Sequence, residues 1–268
     1  MRRDVLELRE FYASPLGLAA RSIIARRVTE AWGSAGALDV LGLGYATPYL
    51  GAFQPAARRT VAAMPAAQGV EVWPASGGAL TCLGDEQRLP FPNALFDRVL
   101  VIHALEEADD PLAMLREVWR VLSPSGRVIL AAANRRGIWS NSESTPFGHG
   151  QPFTRIQLED LAREAELEPV AWSRALFGPP VQWSVQWAYS LERIGARLWP
   201  GLSGLILLEA VKQTYAVRPK GRRMPVRVFA PGGLQPAGMA PPPAAHTGSA
   251  PGRWGASRPI SRRSAQKA

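Results

Sequence analysis

One block near the middle of the chain constrains its fold more than any other. The proline-rich loop Leu89–Pro92 is followed by Asp97–Ile102, which ends in a run of β-branched residues and leucine. Pro111–Leu122 carries the apolar stripe of an amphipathic helix, the turn 124–126 follows, and Arg127–Ala132 is a second apolar run. Runs of this kind are typical of strands covered on both faces. The block therefore predicts a strand, a crossover helix and a parallel neighbouring strand.

The rest of the chain continues this alternation of helices and strands. Ser14-Pro15 indicates a helix start, with serine as the N-cap and proline in the first turn. Helices are predicted over 4–12, 15–32, 156–166 and 181–198, and strands over 37–41, 61–64, 69–73, 169–175 and 205–215. The sequence thus predicts a doubly wound, mostly parallel α/β sheet.

Leu38–Ala46 places two glycines directly after the first predicted strand, where free backbone amides can approach a ligand. This segment and the central block, taken in order, resemble a class I S-adenosylmethionine-dependent methyltransferase of the methyltransferase type 11 family. The resemblance implies a seven-stranded Rossmann-like sheet over residues 1–215 and S-adenosylmethionine as the cofactor. A nicotinamide site is disfavoured, because its third glycine would fall at Thr47.

The resemblance also implies a set of cofactor-binding positions at the ends of the first four strands. These are Gly42, Gly44 and Ala46 in the first motif, Met64 in the second, Asp85 and Glu86 in the third, and His103 after the fourth.

Two of these motifs depart from the family pattern. Met64 stands where such enzymes usually carry an acid, and a thioether cannot accept both ribose hydroxyls as a carboxylate does. Val40 occupies the usual acidic position of the first motif, while Asp39 lies one residue early and is expected on the other strand face. Asp85 is either an adenine contact or a solvated loop acid.

Candidates for chemistry are few. His103 either contacts cofactor or substrate or is a structural residue at the strand end, and His149, between two glycines, is either a base or merely polar. Arg135 and Arg136 either receive an anionic substrate or face water. Trp183 and Trp187 are expected to pack in the core, since they are four residues apart on a predicted helix. The three histidines and single cysteine lack metal-ligand spacing, so no metal is expected.

The charge of the chain is concentrated at one end. Residues 216–268 hold ten Lys/Arg and no Asp/Glu, whereas the other 215 residues have a net charge of −1. This Pro/Gly-rich segment is predicted to be a disordered tail, and its dispersed charges give only weak support for nucleic-acid binding. No apolar run approaches the length of a membrane helix, so a cytoplasmic protein without a membrane partner is expected.

The leading hypothesis from the sequence is methyl transfer to a small-molecule acceptor. The residues after the fourth predicted strand, 103–106, are not the Asn/Asp-Pro-Pro-aromatic signature of amino methylation on nucleobases or glutamine. The alternative is a non-catalytic methyltransferase-fold binding or scaffold protein with a degenerate cofactor site, which Val40 and Met64 motivate.

Overall fold

The computed structural model describes residues 3–213 and the backbone of residues 227–228. Its strands are β1 (Asp39–Gly44), β2 (Arg59–Pro65), β3 (Thr81–Gly84), β4 (Phe96–Ile102), β5 (Leu122–Ala133), β6 (Leu167–Ala175), β7 (Leu205–Lys212) and β8 (Arg227–Val228). Its α-helices are α1 (Val5–Ala13), α2 (Pro15–Trp32), α3 (Thr47–Leu50), α4 (Pro111–Val121), α5 (Arg155–Glu164) and α6 (Ala188–Leu198).

These strands form one sheet in the order β3-β2-β1-β4-β5-β7-β6-β8. Strands β1 to β5 pair in parallel, while β7 runs antiparallel to both β5 and β6. The predicted doubly wound, mostly parallel seven-stranded sheet is therefore confirmed, and the two-residue β8 adds to the β6 edge.

Apolar clusters cover the two faces of the sheet. One cluster includes Ile24 of α2 and Leu50 of α3, together with α1. The other includes Leu115 of α4 and Leu158 of α5. Burial on both faces explains why β4 reads as an almost continuous apolar run.

Helix starts follow their capping residues. The Ser14 side chain accepts a hydrogen bond from the Gly17 amide and begins α2, which has the predicted bounds. Asp110 caps α4 in the same way through the Ala113 amide. Side-chain acceptors at these positions satisfy amides that lack a partner within the helix.

Two element predictions and one packing prediction were wrong. Residues 69–73 are not a strand but part of an irregular segment between β2 and β3. Residues 181–198 are not a single helix, because a 3₁₀ helix over Gln182–Trp187 precedes α6. Trp183 and Trp187 are 68% and 56% exposed rather than packed in the core, and both lie in this 3₁₀ helix, whose turns are tighter than those of the predicted α-helix.

The division at residue 215 remains a prediction. Within the proposed tail the structure describes only residues 227–228, and these form β8.

Gly44 at the end of β1 supplies a testable constraint on the fold. Its φ is +84°, and a Cβ there would overlap the carbonyl oxygen of Ile102 in β4. We therefore expect Gly44→Ala to lower the free energy of unfolding by about 2 kcal/mol or more, measured by urea denaturation. Gly51→Ala is the matched control, since no atom lies within 4 Å of a Cβ at Gly51. An equal effect of the two substitutions would contradict this account.

Candidate functional site

The carboxyl ends of β1 to β4 meet along one edge of the sheet. Gly44 pairs with Ile102, and Pro65 pairs with Gly84. Ligands of open α/β sheets bind outside this edge. The structure therefore brings the predicted residues of all four motifs to the end of the sheet where a cofactor is expected.

The two glycines of the first motif allow close packing within the protein. A Cβ at Gly42 would lie 2.6 Å from the Cβ of Ala46 and 2.8 Å from Leu50, so Gly42 lets the α3 segment approach β1. Directly after Gly44, the amide of Tyr45 donates to the Ile102 carbonyl at 3.1 Å. These contacts shape the turn that leads from β1 into α3.

Asp39 is buried at the start of β1, away from the carboxyl edge. Its side chain accepts hydrogen bonds from Arg58, and these bonds lower the pKa of the carboxyl. Asp39 therefore joins β1 to the chain before β2 and does not reach the candidate site.

Met64 is buried near the end of β2, where its sulfur contacts the backbone of an acidic residue, Glu71. The Glu71 amide donates to Met64 Sδ at 3.4 Å. The Glu71 carboxylate accepts from the Thr47 hydroxyl at 2.7 Å and from the Tyr45 hydroxyl at 3.3 Å. The irregular segment after β2 thus delivers an acid to the place where the second motif lacks one.

Asp85 and Glu86 follow β3 at the same edge. Asp85 is exposed, and its side chain accepts from the Gln87 amide at 2.8 Å, which closes a tight turn. Glu86 is buried. Of the two acids, Asp85 is the one that a ligand can reach from solvent.

His103 connects three segments at the end of β4. Its Nε2 lies 2.7 Å from the Tyr12 hydroxyl of α1, and that hydroxyl accepts from Tyr49 at 2.7 Å. Its carbonyl accepts from the Gln68 side chain at 2.8 Å. Burial, reinforced by the positive charge of Arg3, lowers the pKa of His103 to about 3. The imidazole is therefore neutral, and its Nε2 accepts a hydrogen bond from the Tyr12 hydroxyl.

Helix α1 covers this part of the edge. The Tyr12 ring stacks on Tyr45 with centroids 5.7 Å apart and an interplanar angle of 21°. The Val5 amide donates to the Gln68 carbonyl at 2.8 Å. Burial raises the pKa of Tyr12, so its hydroxyl stays protonated as a donor to His103. The structure is thus a covered form of the site.

His149 belongs to the loop that follows β5. Its Nε2 contacts the Arg3 guanidinium and lies 2.8 Å from the Glu143 carbonyl. Cβ atoms at the flanking Gly148 and Gly150 would overlap the chain's own carbonyls, so these glycines serve loop packing. Arg135 and Arg136, also in this loop, are exposed to solvent.

Glu106 is a site residue that the sequence interpretation missed. It is buried, and its Oε1 accepts from the Ala133 amide at 2.7 Å. Burial raises the pKa of its carboxyl to about 7, although the hydrogen bond from Ala133 opposes this shift. A carboxyl with a pKa near neutral pH is suited to accept or release a proton.

Tyr12 and Glu71 were missed as well. Tyr12 reads as an ordinary apolar helix position, and Glu71 falls in a segment predicted as a strand. Glu106 carries the one available signal, since it is an acid four residues after a buried strand that ends at the candidate ligand edge.

Comparisons with known proteins agree with this geometry. Residues 38–130 match the family model described as a methyltransferase domain. Demethylmenaquinone methyltransferase of Deinococcus radiodurans is 45% identical over 47 residues, which are 18% of this chain and 20% of that protein. An uncharacterized protein of Mycobacterium tuberculosis is 25% identical over 147 residues, covering 52% and 49% of the two chains. The chain thus spans about half or less of these curated relatives.

A solved structure extends the similarity to the whole fold. The S-adenosylmethionine-dependent methyltransferase from Thermotoga maritima, described as a possible histamine N-methyltransferase, superposes with a TM-score of 0.56 at 18% identity. The match covers 78% of this chain and 96% of that one. Residues 38–130 are therefore similar to a methyltransferase domain, and the fold is that of a solved S-adenosylmethionine-dependent methyltransferase.

Two kinds of feature are absent from the described residues. None of the helices in residues 3–213 is both long and apolar enough to cross a membrane. The same part of the chain contains no group of three or more His, Cys, Asp or Glu side chains arranged to hold a metal ion.

The buried side chains of His103 and Glu106 are expected to have opposite effects on how the free energy of unfolding changes with pH. Between 4.5 and about 7, unfolded Glu106 is ionised while the folded carboxyl is still protonated, so its contribution to stability falls as pH rises. Between about 3 and 6.5, unfolded His103 binds a proton that the folded imidazole does not, so its contribution rises with pH. Each slope is about 1.4 kcal/mol per pH unit, and the two oppose each other between 4.5 and 6.5.

Single substitutions separate these two contributions. Over that shared pH range, we expect the unfolding free energy of Glu106→Gln to rise with pH more steeply than that of the wild type. His103→Gln is expected to show the reverse change. Urea denaturation across the range measures both slopes, and parallel curves for the three proteins would refute the assignment.

Proposed function

We propose that this chain transfers a methyl group from S-adenosylmethionine to a small-molecule acceptor. The observation that carries the proposal is Glu71, whose backbone amide contacts Met64 Sδ and whose carboxylate accepts from Thr47 and Tyr45 in the turn after β1. It supports a complete cofactor site despite the missing acid in the second motif.

Glu71 has the chemistry that ribose recognition requires. Its two carboxylate oxygens each accept from a hydroxyl group, that of Thr47 and that of Tyr45. A ribose presents the same pair of donors, so the cofactor's hydroxyls can replace these two without leaving the carboxylate unpaired. The donor set at this edge therefore fits the cofactor.

The other predicted residues have separate parts in this proposal. Asp85, exposed after β3, would accept from the adenine amino group, and the turn at Gly44 would bind the methionine portion. Ala46 and Gly42 hold α3 against β1 behind that turn. Glu86 and Met64 are buried and support the edge from within.

The cofactor supplies an activated methyl group, and the protein has to position the acceptor and exclude water. Helix α1 is placed to do both, because Tyr12 lies over Tyr45 and His103. Binding then requires Tyr12 to withdraw and allows α1 to close over the bound molecules. Methyl transfer needs a base only when the nucleophile carries a hydrogen.

Calorimetry tests the role of Glu71. We expect Glu71→Gln to weaken S-adenosylhomocysteine binding about tenfold or more, because a neutral amide replaces one acceptor oxygen with a donor. Glu164→Gln is the matched control, since Glu164 is exposed on α5. If the wild type binds and Glu71→Gln binds equally well, the ribose assignment is wrong.

Because Tyr12 covers the site, a second candidate function is a non-catalytic binding protein that no longer binds the cofactor. The two candidates separate in Tyr12→Ala, which removes the side chain stacked on Tyr45. For a methyltransferase we expect faster association of S-adenosylhomocysteine, measured by stopped-flow fluorescence, and no such change in Trp183→Ala. Absence of binding to both the wild type and Tyr12→Ala at millimolar ligand would establish the second candidate.

A further inference from the structure

A small cavity lies beside the carboxyl edge of β4, between the N-terminal segment and the loop that follows β5. Its volume is about 10 Å³, enough for one water-sized group. Its walls are formed by Arg3, Leu8, Gln68, His103, Glu106, Glu107, Pro146 and His149.

Two buried acceptors among these wall residues lack a hydrogen-bond partner. Glu106 is 7% exposed and Gln68 is 1% exposed, yet Glu106 Oε2 and Gln68 Oε1 are bonded to nothing in the described structure. Each side chain is held by its other polar atom, Glu106 Oε1 by the Ala133 amide and Gln68 Nε2 by the His103 carbonyl. Leaving a buried acceptor without a hydrogen bond destabilises a protein by about 1–3 kcal/mol. Two such acceptors at one cavity therefore indicate that the cavity receives a hydrogen-bond donor.

The charged groups around the cavity leave Glu106 as its proton acceptor. The Arg3 backbone amide donates to Glu107 at 3.0 Å, and the Arg3 guanidinium contacts His149 and the Glu143 carbonyl. His103 is a weaker proton acceptor than Glu106, because burial lowers the pKa of its imidazole to about 3. Arg3 Nε is also buried without a partner, which gives the cavity one donor to complement the acceptors.

The loop after β5 is attached directly to Glu106. The Gln151 amide donates to the Glu106 carbonyl at 2.7 Å. Gly150, with φ +71°, packs so closely on the same carbonyl that a Cβ there would lie 2.4 Å from its oxygen, so only glycine fits. This attachment holds the loop over the cavity, on the edge where the acceptor of a class I methyltransferase has to meet the cofactor.

We propose that this cavity receives the nucleophilic amino or hydroxyl group of the methyl acceptor, and that Glu106 Oε2 and Gln68 Oε1 accept its hydrogens. The inference rests on the proposed function and specifies its substrate class. The acceptor carries an N–H or O–H group small enough to enter, with the remainder of the molecule outside. Thioethers and tertiary amines are excluded, since they have no hydrogen to donate.

Glu106 then acts as the base for the transfer. The nucleophile's lone pair forms the new bond to the methyl carbon, and the carbon–sulfur bond breaks with its electron pair remaining on sulfur. The proton of the nucleophile passes to Glu106 Oε2, and S-adenosylhomocysteine is released. Because burial raises the pKa of Glu106 to about 7, a large fraction of this carboxyl is ionised and ready to accept a proton at neutral pH.

Carboxyl NMR on the full-length protein tests the site without a known substrate. Glutamate labelled with ¹³C at the side-chain carboxyl reports the pKa of Glu106, and Glu106→Gln assigns its signal. The probes are methylammonium, methanol and tetramethylammonium, the last a cation without a hydrogen to donate. We expect methylammonium, methanol or both to lower the Glu106 pKa, with about one unit for a bound cation.

The pattern of shifts identifies the donor. A shift with methylammonium alone indicates an amino acceptor, and a shift with methanol indicates a hydroxyl acceptor. Gln68→Met should reduce the shift, whereas Asp109→Asn, at an exposed acid nearby, should leave it intact. If no probe shifts the pKa more than tetramethylammonium does, the cavity holds an ordered water only and the inference is wrong.

Calorimetry with S-adenosylhomocysteine on the same samples keeps the two proposals apart. Binding of S-adenosylhomocysteine without a pKa shift would overturn the acceptor site and leave the methyltransferase proposal standing. A pKa shift without binding would support the donor site and overturn the proposed function.

Discussion

The arrangement of segments at the carboxyl edge of the sheet depends on the hydrogen bonds made by the neutral, buried His103. Its side chain accepts from Tyr12 of α1, and its carbonyl accepts from Gln68 of the segment after β2. One residue at the end of β4 therefore joins the N-terminal helix and the irregular β2–β3 connection to the sheet. Since burial strongly disfavours the imidazolium, the network is stable only while His103 remains uncharged.

Two carboxylates at this edge have contrasting surroundings. Glu71 is half-buried and bonded to two hydroxyls, an environment that a ribose can reproduce. Glu106 is buried, bonded through one oxygen and unpaired at the other. The first environment suits recognition of a neutral polyol, and the second suits transfer of a proton. The proposed division between cofactor binding and base catalysis follows from this difference in solvation.

Sequence patterns predicted the elements whose stability comes from simple periodicity. The β4–α4–β5 block, the bounds of α2 and the strand around Met64 were all anticipated, because apolar spacing and capping residues act locally. Residues 69–73 and Trp183 were misjudged for the opposite reason. Their apolar residues resemble strand and helix positions, but local spacing does not decide burial in the fold, and the first segment is irregular while the tryptophan is exposed on a 3₁₀ helix.

The sequence by itself determined the class of fold and the edge of the sheet at which a ligand is expected. It did so because glycine turns, buried strands and a capped amphipathic helix occur in an order that permits one parallel arrangement. Only the tertiary structure decided which side chains meet at that edge. Glu71, Tyr12 and Glu106 come from separate segments, and folding alone brings them to the ends of β1, β2 and β4. Burial, which sets the charge of His103 and Glu106, is likewise a property of the assembled molecule.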